Sequence, residues 1–117
     1  MNSDRFFEKV NAYTTLSKLS RASWHKLLHE ESYNRGEHFV ELGQIPTKVG
    51  FVASGLFSQE YVSESGDTTI KYFFPEGRFA ASVGAMLTGT PYAFSIIALE
   101  ETKVLSYKFS EFKKLTE

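Results

Sequence analysis

The stretch Gly55–Phe74, GLFSQEYVSESGDTTIKYFF, predicts a β-hairpin and decides the fold class. Two arms of alternating apolar and polar residues flank Ser65 and Gly66. Alternation with period two is typical of half-buried strands, and Gly66 can adopt the positive φ that a tight hairpin turn demands. We therefore expect two antiparallel strands joined by a solvated turn, Ser63–Asp67, which carries Glu64 and Asp67.

Glycine punctuation continues on both sides of the hairpin. Between Gly36 and Gly89, short β-type segments are separated by glycine residues. The segment Ser95–Lys108, SIIALEETKVLSYK, predicts one or two further strands with Glu100 and Glu101 at the turn. Roughly eight short strands at near-regular spacing favour a β-barrel or a jelly roll.

Helical patterns flank these strands at both ends of the chain. Phe6, Val10 and Tyr13 recur at helical spacing, and Ser20 stands where the N-cap of a second helix is expected. After the strands, Ser110 predicts the N-cap of a last, short helix. The sequence therefore predicts a mainly β protein with flanking α-helices.

The length of 117 residues fits one domain. We expect a single domain over residues 1–117 that consists of three parts. These parts are a helical lead-in over residues 1–34, a β-roll over 35–109 and the start of a C-terminal helix over 110–117.

Composition restricts the function classes. The chain has a formal net charge of -1, no long run of one charge sign and no cysteine. The near-neutral charge argues against nucleic-acid binding by this segment. The absence of cysteine excludes disulfides and thiolate metal sites. Because no signal peptide is recognisable and no apolar run approaches the ~20 residues that span a bilayer, we expect a cytoplasmic protein with no membrane partner.

The histidines and acids do not form a catalytic or metal-binding pattern. His25 and His29 lie four residues apart on a predicted helix, but they lack the glutamate of H-E-x-x-H and a third ligand. His38 is single, whereas a cupin metal site needs two histidines one residue apart. No G-x-S-x-G motif occurs, and no acid lies between Gly77 and Ile97 to act as a general base. The sequence predicts no catalytic residue, no metal site and no enzyme; a cupin-type metalloenzyme is the least favoured alternative.

The order and spacing of these segments resemble the cyclic nucleotide-binding domain of the catabolite activator-type (Crp/Fnr) transcription regulators. LSRASWHKLL, Leu19–Leu28, is similar to the family's lead-in helix. Gly36–Phe79 matches its run of glycine-punctuated strands in order, and Ala98–Leu115 resembles its last strands and the following helix. The resemblance covers the chain from about Leu16 onward and implies a β-roll, which is a jelly roll or double-stranded β-helix.

The ligand site of this family is a phosphate-binding cassette. In it, backbone N–H groups of a short helix face the cyclic phosphate, an arginine pairs with the phosphate, and a glutamate binds the ribose hydroxyl. Laid without gaps on Gly77–Ala98, GRFAASVGAMLTGTPYAFSIIA, the glutamate position holds Ser82 and the arginine position holds Tyr92. Ala81 stands at a family glycine. The candidate ligand-binding positions implied by the resemblance are Phe79, Ala81, Ser82, Val83, Tyr92 and Ala93.

The cassette spacing is kept, but its charged contacts are lost. One charge-assisted hydrogen bond contributes about 1.5–3 kcal/mol, so losing the arginine contact alone costs roughly tenfold to a hundredfold in affinity. We therefore expect no cofactor and disfavour cyclic AMP as the ligand. Arg78, the only cation near the cassette, is expected to face solvent. Phe73, Phe74 and Phe94 are expected in the barrel core, while the Tyr92 hydroxyl can offer one hydrogen bond.

The resemblance implies the ligand-sensing domain of a bacterial transcription regulator with an unidentified small-molecule effector. In that family, ligand binding shifts a long dimerisation helix and repositions a helix-turn-helix on DNA. The chain ends where that helix is expected to begin, so we expect DNA binding to belong to a C-terminal part absent from this chain. We expect a homodimer in the full-length protein. Two alternatives stay open: a sensor for a different small molecule that uses Ser82 and Tyr92, and a ligand-free protein-interaction module.

Overall fold

The computed structural model describes residues 3–11 and 20–116. Within these residues, eight strands and four helices are present. Their bounds are α1 Asp4–Asn11, α2 Arg21–Leu27, β1 His29–Tyr33, β2 His38–Val40, β3 Lys48–Ser54, β4 Leu56–Val62, β5 Thr68–Pro75, β6 Phe79–Ala80, α3 Val83–Thr88, β7 Ser95–Ala98, β8 Thr102–Lys108 and α4 Phe109–Thr116.

The strands form two antiparallel sheets of four strands each. One sheet has the order β1-β8-β3-β6 and the other the order β2-β7-β4-β5. The predicted hairpin is confirmed: β4 pairs with β5 from Leu56↔Pro75 to Val62↔Thr68, and Gly66 in the turn has φ 89°. The mainly β fold with flanking helices is therefore confirmed.

Strands β3 and β8 separate two apolar cores. Alternate side chains of a strand point to opposite faces, so Phe51 and Leu105 face the helices. Their neighbours Val52 and Val104 face the interior between the sheets. We call these two sets the helix-side core and the interior core. The helix-side core is centred on Trp24, and the interior core on residues such as Phe57 and Ile96; all three side chains are fully buried.

The helix-side core is built largely from aromatic rings. The Trp24 ring lies 5.1 Å from Phe6 and 5.1 Å from Tyr107, both in edge-to-face contact. Edge-to-face aromatic pairs add about 0.5–1.5 kcal/mol beyond the area they bury. The predicted N-cap is confirmed, because Ser20 Oγ accepts a hydrogen bond from Ser23 N at 3.2 Å. Together with the stacking of Trp24 on Phe112 of α4 at 5.5 Å, these contacts fix α1, α2 and α4 against the outer face of the first sheet. Tyr13 lies outside the described residues.

The predicted extent of the helical lead-in, to residue 34, is wrong. Helix α2 ends at Leu27, and His29–Tyr33 forms β1, which pairs with β8. His25 and His29 therefore do not share a helix face, because His29 lies on a strand. The cause is tertiary: pairing with β8 and the contacts of Glu31 outweigh the weak local preference of HEESY.

One core prediction is also wrong. Phe73 is 50% exposed because it points to the face of its sheet that lies opposite the interior core. Its neighbour Phe74 is buried and pairs across the strands with Phe57. Phe94 is half-buried and packs against the interior core, as expected.

Candidate functional site

The cassette stretch forms a strand, a short helix and a second strand. Strand β6 pairs with β3 through Ala80↔Gly50, and helix α3 follows after two residues. The helix ends at Gly89, whose φ of 65° is left-handed and whose N–H donates to the Ala85 carbonyl. A left-handed glycine is a common helix terminator because it has no Cβ to clash. The backbone frame that the resemblance implied is thus present in the structure.

Ser82 lies at the start of this helix. Its carbonyl accepts a hydrogen bond from Met86 N at 3.0 Å, and its side chain makes no capping hydrogen bond. The side chain is half-buried. A serine at this position supplies a neutral hydroxyl where the family has a carboxylate, so it cannot provide a charged contact.

Tyr92 is a member of the interior core. It is 6% exposed, and its ring lies 5.6 Å from that of Phe94. Its hydroxyl accepts a hydrogen bond from Gln59 Nε2. The backbone is fixed as well: Tyr92 N donates to the Gln44 carbonyl at 2.9 Å, and the Tyr92 carbonyl accepts from Gly43 N at 2.9 Å. The residue at the arginine position therefore fills the interior instead of presenting a cation.

Burial raises the pKa of the Tyr92 phenol, and the hydrogen bond from Gln59 opposes that effect in part. Tyr92 is therefore neutral at physiological pH, since even an unperturbed tyrosine titrates near 10. Sequence reasoning missed Gln59. The sequence does hold one indication of its role. Side chains two positions apart on a strand share a face, so the polar Gln59 is expected on the same interior face as the apolar Phe57.

The other candidates lie in different surroundings. Phe79 packs on Phe51 in the helix-side core at 5.4 Å, and Ala81 packs against the same core. Val83 is the first residue of α3, and Ala93 is exposed. The six candidates therefore do not form one cluster, because Phe79 and Tyr92 belong to opposite sides of the first sheet. None of the three cavities described in residues 3–11 and 20–116 is lined by a candidate. Their role in ligand binding stays a prediction.

Arg78, the cation next to the cassette, contacts a residue outside it. Arg78 is exposed, as expected, and its Nη1 donates to Tyr72 Oη at 3.4 Å. It lines a cavity of about 340 Å³ together with Arg5 and Lys9 of α1. Arg5 is already paired with Glu76. This arrangement links α1 to the turn before β6 and supplies no charge to Ser82.

A second polar cluster joins β1 to β3. Lys48 Nζ donates to both carboxylate oxygens of Glu31, at 3.0 and 2.8 Å, and to Tyr33 Oη at 2.9 Å. Burial raises the pKa of Glu31, but hydrogen bonds from Lys48 and Ser106 outweigh it and hold that pKa below its ordinary value. Because each charge is paired, we interpret the cluster as structural.

The described part of the chain holds no group of three histidine or acidic side chains placed to bind a metal ion. Within residues 3–11 and 20–116, no helix is long and apolar enough to cross a membrane.

Comparisons with known proteins agree with this geometry. The sequence profile of the family described as "Cyclic nucleotide-binding domain" matches residues 30–117. A search of curated proteins finds no significant match.

Three solved structures share the fold at low sequence identity. The Thermus thermophilus catabolite activator protein is 16% identical with a TM-score of 0.71, covering 86% of this chain and 48% of that one. The sensor domain of the transcriptional regulator DNR from Pseudomonas aeruginosa is 11% identical with a TM-score of 0.77, covering 97% and 79%. A regulatory subunit of a cAMP-independent protein kinase A from Trypanosoma brucei, in a mutant bound to cAMP, is 11% identical with a TM-score of 0.75, covering 95% and 42%.

The chain spans less than half the length of the first and third of these structures. At these identities, the likeness shows a shared fold.

Proposed function

Because the chain belongs to the cyclic nucleotide-binding domain family, we propose that it is a ligand-sensing regulatory domain that does not bind cyclic AMP through the charged contacts of the cassette. The family is one of ligand-binding domains and not of enzymes, and its profile covers residues 30–117.

The single observation that carries the proposal is the burial of Tyr92. An arginine there would pair with a phosphate. Tyr92 instead packs in the interior core, and its hydroxyl accepts a hydrogen bond from Gln59. A ligand phosphate placed against this side chain gains no ion pair. The Tyr92 side chain is 6% exposed, and the most that it could offer a phosphate is one neutral O–H donor. Together with the neutral Ser82, this removes both charged contacts of the family's site.

A role in transcription regulation is supported by two of the structural neighbours. One is described as a catabolite activator protein and another as the sensor domain of a transcriptional regulator. We propose that this chain is the sensor part of such a regulator in the cytoplasm. DNA binding and dimerisation through a long helix then belong to a further C-terminal segment. The effector is a small molecule other than a cyclic nucleotide.

Regulation without cyclic AMP has a parallel among the neighbours. The Trypanosoma brucei subunit is described as part of a cAMP-independent kinase, and the solved form is a mutant bound to cAMP. In our proposal, the neutral Ser82 and the buried Tyr92 likewise make this chain independent of cyclic AMP.

The second candidate function is a protein-interaction module that binds no small molecule. The observation that favours it is the exposure of large apolar side chains on β5, among them Tyr72 and Phe73. A ligand-sensing cassette does not explain these residues.

A thermal-shift screen separates the two candidates. Wild-type protein is heated with cyclic AMP, with cyclic GMP and with a set of small anionic and neutral metabolites. A sensor of another small molecule gives no shift with either cyclic nucleotide and a dose-dependent rise in Tm with one metabolite. If no metabolite in the set raises the Tm, the interaction module is favoured. A dose-dependent rise with cyclic AMP at low micromolar concentration contradicts the proposal.

The double substitution Ser82→Glu and Tyr92→Arg tests the residue assignment. It restores both charges, and we expect at least roughly tenfold tighter binding of cyclic AMP than in the wild type. The matched control is Ser82→Gln with Tyr92→Met, which keeps similar side-chain lengths without charge. Circular dichroism verifies that both variants are folded. Equal binding by the two folded variants would show that the assignment of these positions is wrong.

A further inference from the structure

Two lysines lie directly opposite each other on the inner face of the first sheet, the face toward the interior core. Lys48 of β3 is in register with Lys108 of β8. Residues paired in this way place their side chains on the same face, with Cβ atoms about 4.5–5.5 Å apart. The face is the inner one, because Lys48 Nζ lies 5.2 Å from the ring of Phe39, an interior-core residue. Like charges directly opposite each other destabilise a strand pair, so this pair favours negative charge nearby.

The structure provides such a charge for one of the two lysines. Lys48 Nζ donates to both carboxylate oxygens of Glu31. Lys108 is exposed, and its side chain forms no ion pair and no hydrogen bond with residues 3–11 and 20–116. The positive charge of Lys108 is therefore not compensated within the described part of the chain.

Both lysines line the same cavity, which has a volume of about 420 Å³. It lies at the start of β1, where β8 continues past the pair His29↔Ser106 and has no further partner on β1. Small-molecule sites typically have volumes of about 300–1,000 Å³. Two acids line the cavity, but Glu31 is already paired, and alternation along β1 directs the side chain of Glu30 to the opposite face. The inner face of the cavity therefore carries an excess of positive charge.

The carboxylate of Glu31 shows how this face holds an oxyanion. It accepts hydrogen bonds from Lys48 and from Ser106, a serine that is 3% exposed and also lines the cavity. We propose that the cavity binds a small molecule through an oxyanion group, a phosphate or a carboxylate, which pairs with Lys108 beside Lys48. The pair of Lys48 with Glu31 keeps its structural role and forms a wall of the site. The site lies outside the cassette and does not depend on the function proposed above.

Titration with two simple anions tests the site. Two-dimensional NMR spectra of the isotope-labelled chain are recorded with inorganic phosphate and with succinate, at an ionic strength kept constant with sodium chloride. We expect saturable shifts of the amide signals of Ser106 and Lys108 with at least one of the two anions. A response to phosphate alone identifies the ligand group as a phosphate, and a response to succinate alone identifies it as a carboxylate. No saturable shift with either anion at millimolar concentration overturns the proposal.

Lys108→Gln tests the residue assignment, and Lys103→Gln is its matched control. Lys103 is an exposed lysine of the same strand, but alternation places it on the other face, and it does not line the cavity. We expect Lys108→Gln to weaken binding of the anion at least ~fivefold and Lys103→Gln to leave it unchanged. Equal weakening by both variants would show an unspecific effect of surface charge and would overturn the proposal.

Glu31→Gln is expected to change the affinity in the opposite direction. It keeps the size of the side chain but removes its charge, so that Lys48 becomes available to the anion. We expect this variant to bind the same anion at least ~fivefold more tightly than the wild type. Circular dichroism verifies that the variants are folded. Weaker binding by a folded Glu31→Gln variant would contradict the proposed site, and the result for Lys108→Gln decides the matter if Glu31→Gln does not fold.

Discussion

The substitution Tyr92→Phe measures whether the residue at the arginine position is a structural core residue. It removes only the hydroxyl that accepts the hydrogen bond from Gln59 Nε2. The ring keeps its place, because it is 6% exposed and packs beside Phe94. A half-buried amide that loses its partner costs about 1–2 kcal/mol. Tyr92→Ala removes the ring as well and is expected to cost about 3–5 kcal/mol, since it leaves a cavity.

Urea unfolding provides the assay. The chain has one tryptophan, Trp24, which is 1% exposed in the helix-side core, so its fluorescence reports global unfolding. Tyr72→Phe is the matched control: Tyr72 is 46% exposed, and its hydroxyl makes a long contact of 3.4 Å with Arg78. We expect the control to change the free energy of unfolding by less than about 0.5 kcal/mol. Equal effects of Tyr92→Phe and Tyr72→Phe would refute the assignment of Tyr92 to the core.

Three further predictions concern stability. Gly55→Ala is expected to destabilise the fold by more than about 2 kcal/mol, because φ is 98° and a Cβ would lie 2.5 Å from the Glu101 carbonyl oxygen; Gly66→Ala, with φ 89° and open space, should cost only about 1 kcal/mol in the same urea assay. The lowered pKa of Glu31 means that its pair with Lys48 stabilises the fold above the ordinary value of 4.5 and that this stability is lost as pH falls; Glu31→Gln should therefore flatten the acid limb of a Tm-versus-pH curve. Burial raises the pKa of Tyr107, so the stability it contributes is complete below about pH 10 and is lost above it; Tyr107→Phe should reduce the alkaline fall in Tm.

The fold was predictable from the sequence because its decisive elements carry local signals. The arms of the β4–β5 hairpin are rich in β-branched and aromatic residues, and its turn holds a glycine with positive φ. Ser20 was recognisable as an N-cap because a hydroxyl there satisfies a free N–H of the first helical turn. Each of these signals depends only on residues that lie close together in the sequence.

The elements that were missed depend on distant partners. Strand β1 is held by pairing with β8 and by the bond from Lys48 to Glu31, which no local pattern in HEESY reveals. Phe73 is exposed because it points away from the interior core, whereas Phe74 points into it, and two adjacent phenylalanines do not show which of them faces the core. A phenylalanine was therefore assigned to the core on its apolar character alone.

The sequence predicted the backbone elements of the candidate site but not the contacts of its side chains. Helix α3 and its glycine end follow from the spacing of the cassette. Only the structure shows that Tyr92 reaches Gln59 on β4, because Tyr92 lies in the connection between α3 and β7, 33 residues away from Gln59 in the sequence. That contact changes the interpretation of Tyr92 from a candidate ligand contact to a filled interior position.

Calorimetric titration of cyclic AMP into the wild-type chain is the decisive experiment on the proposed loss of cyclic AMP binding. With Ser82 at the glutamate position and a buried Tyr92 at the arginine position, we expect no saturable heat of binding at low micromolar concentration. A one-to-one binding isotherm with a Kd in the low micromolar range would contradict it.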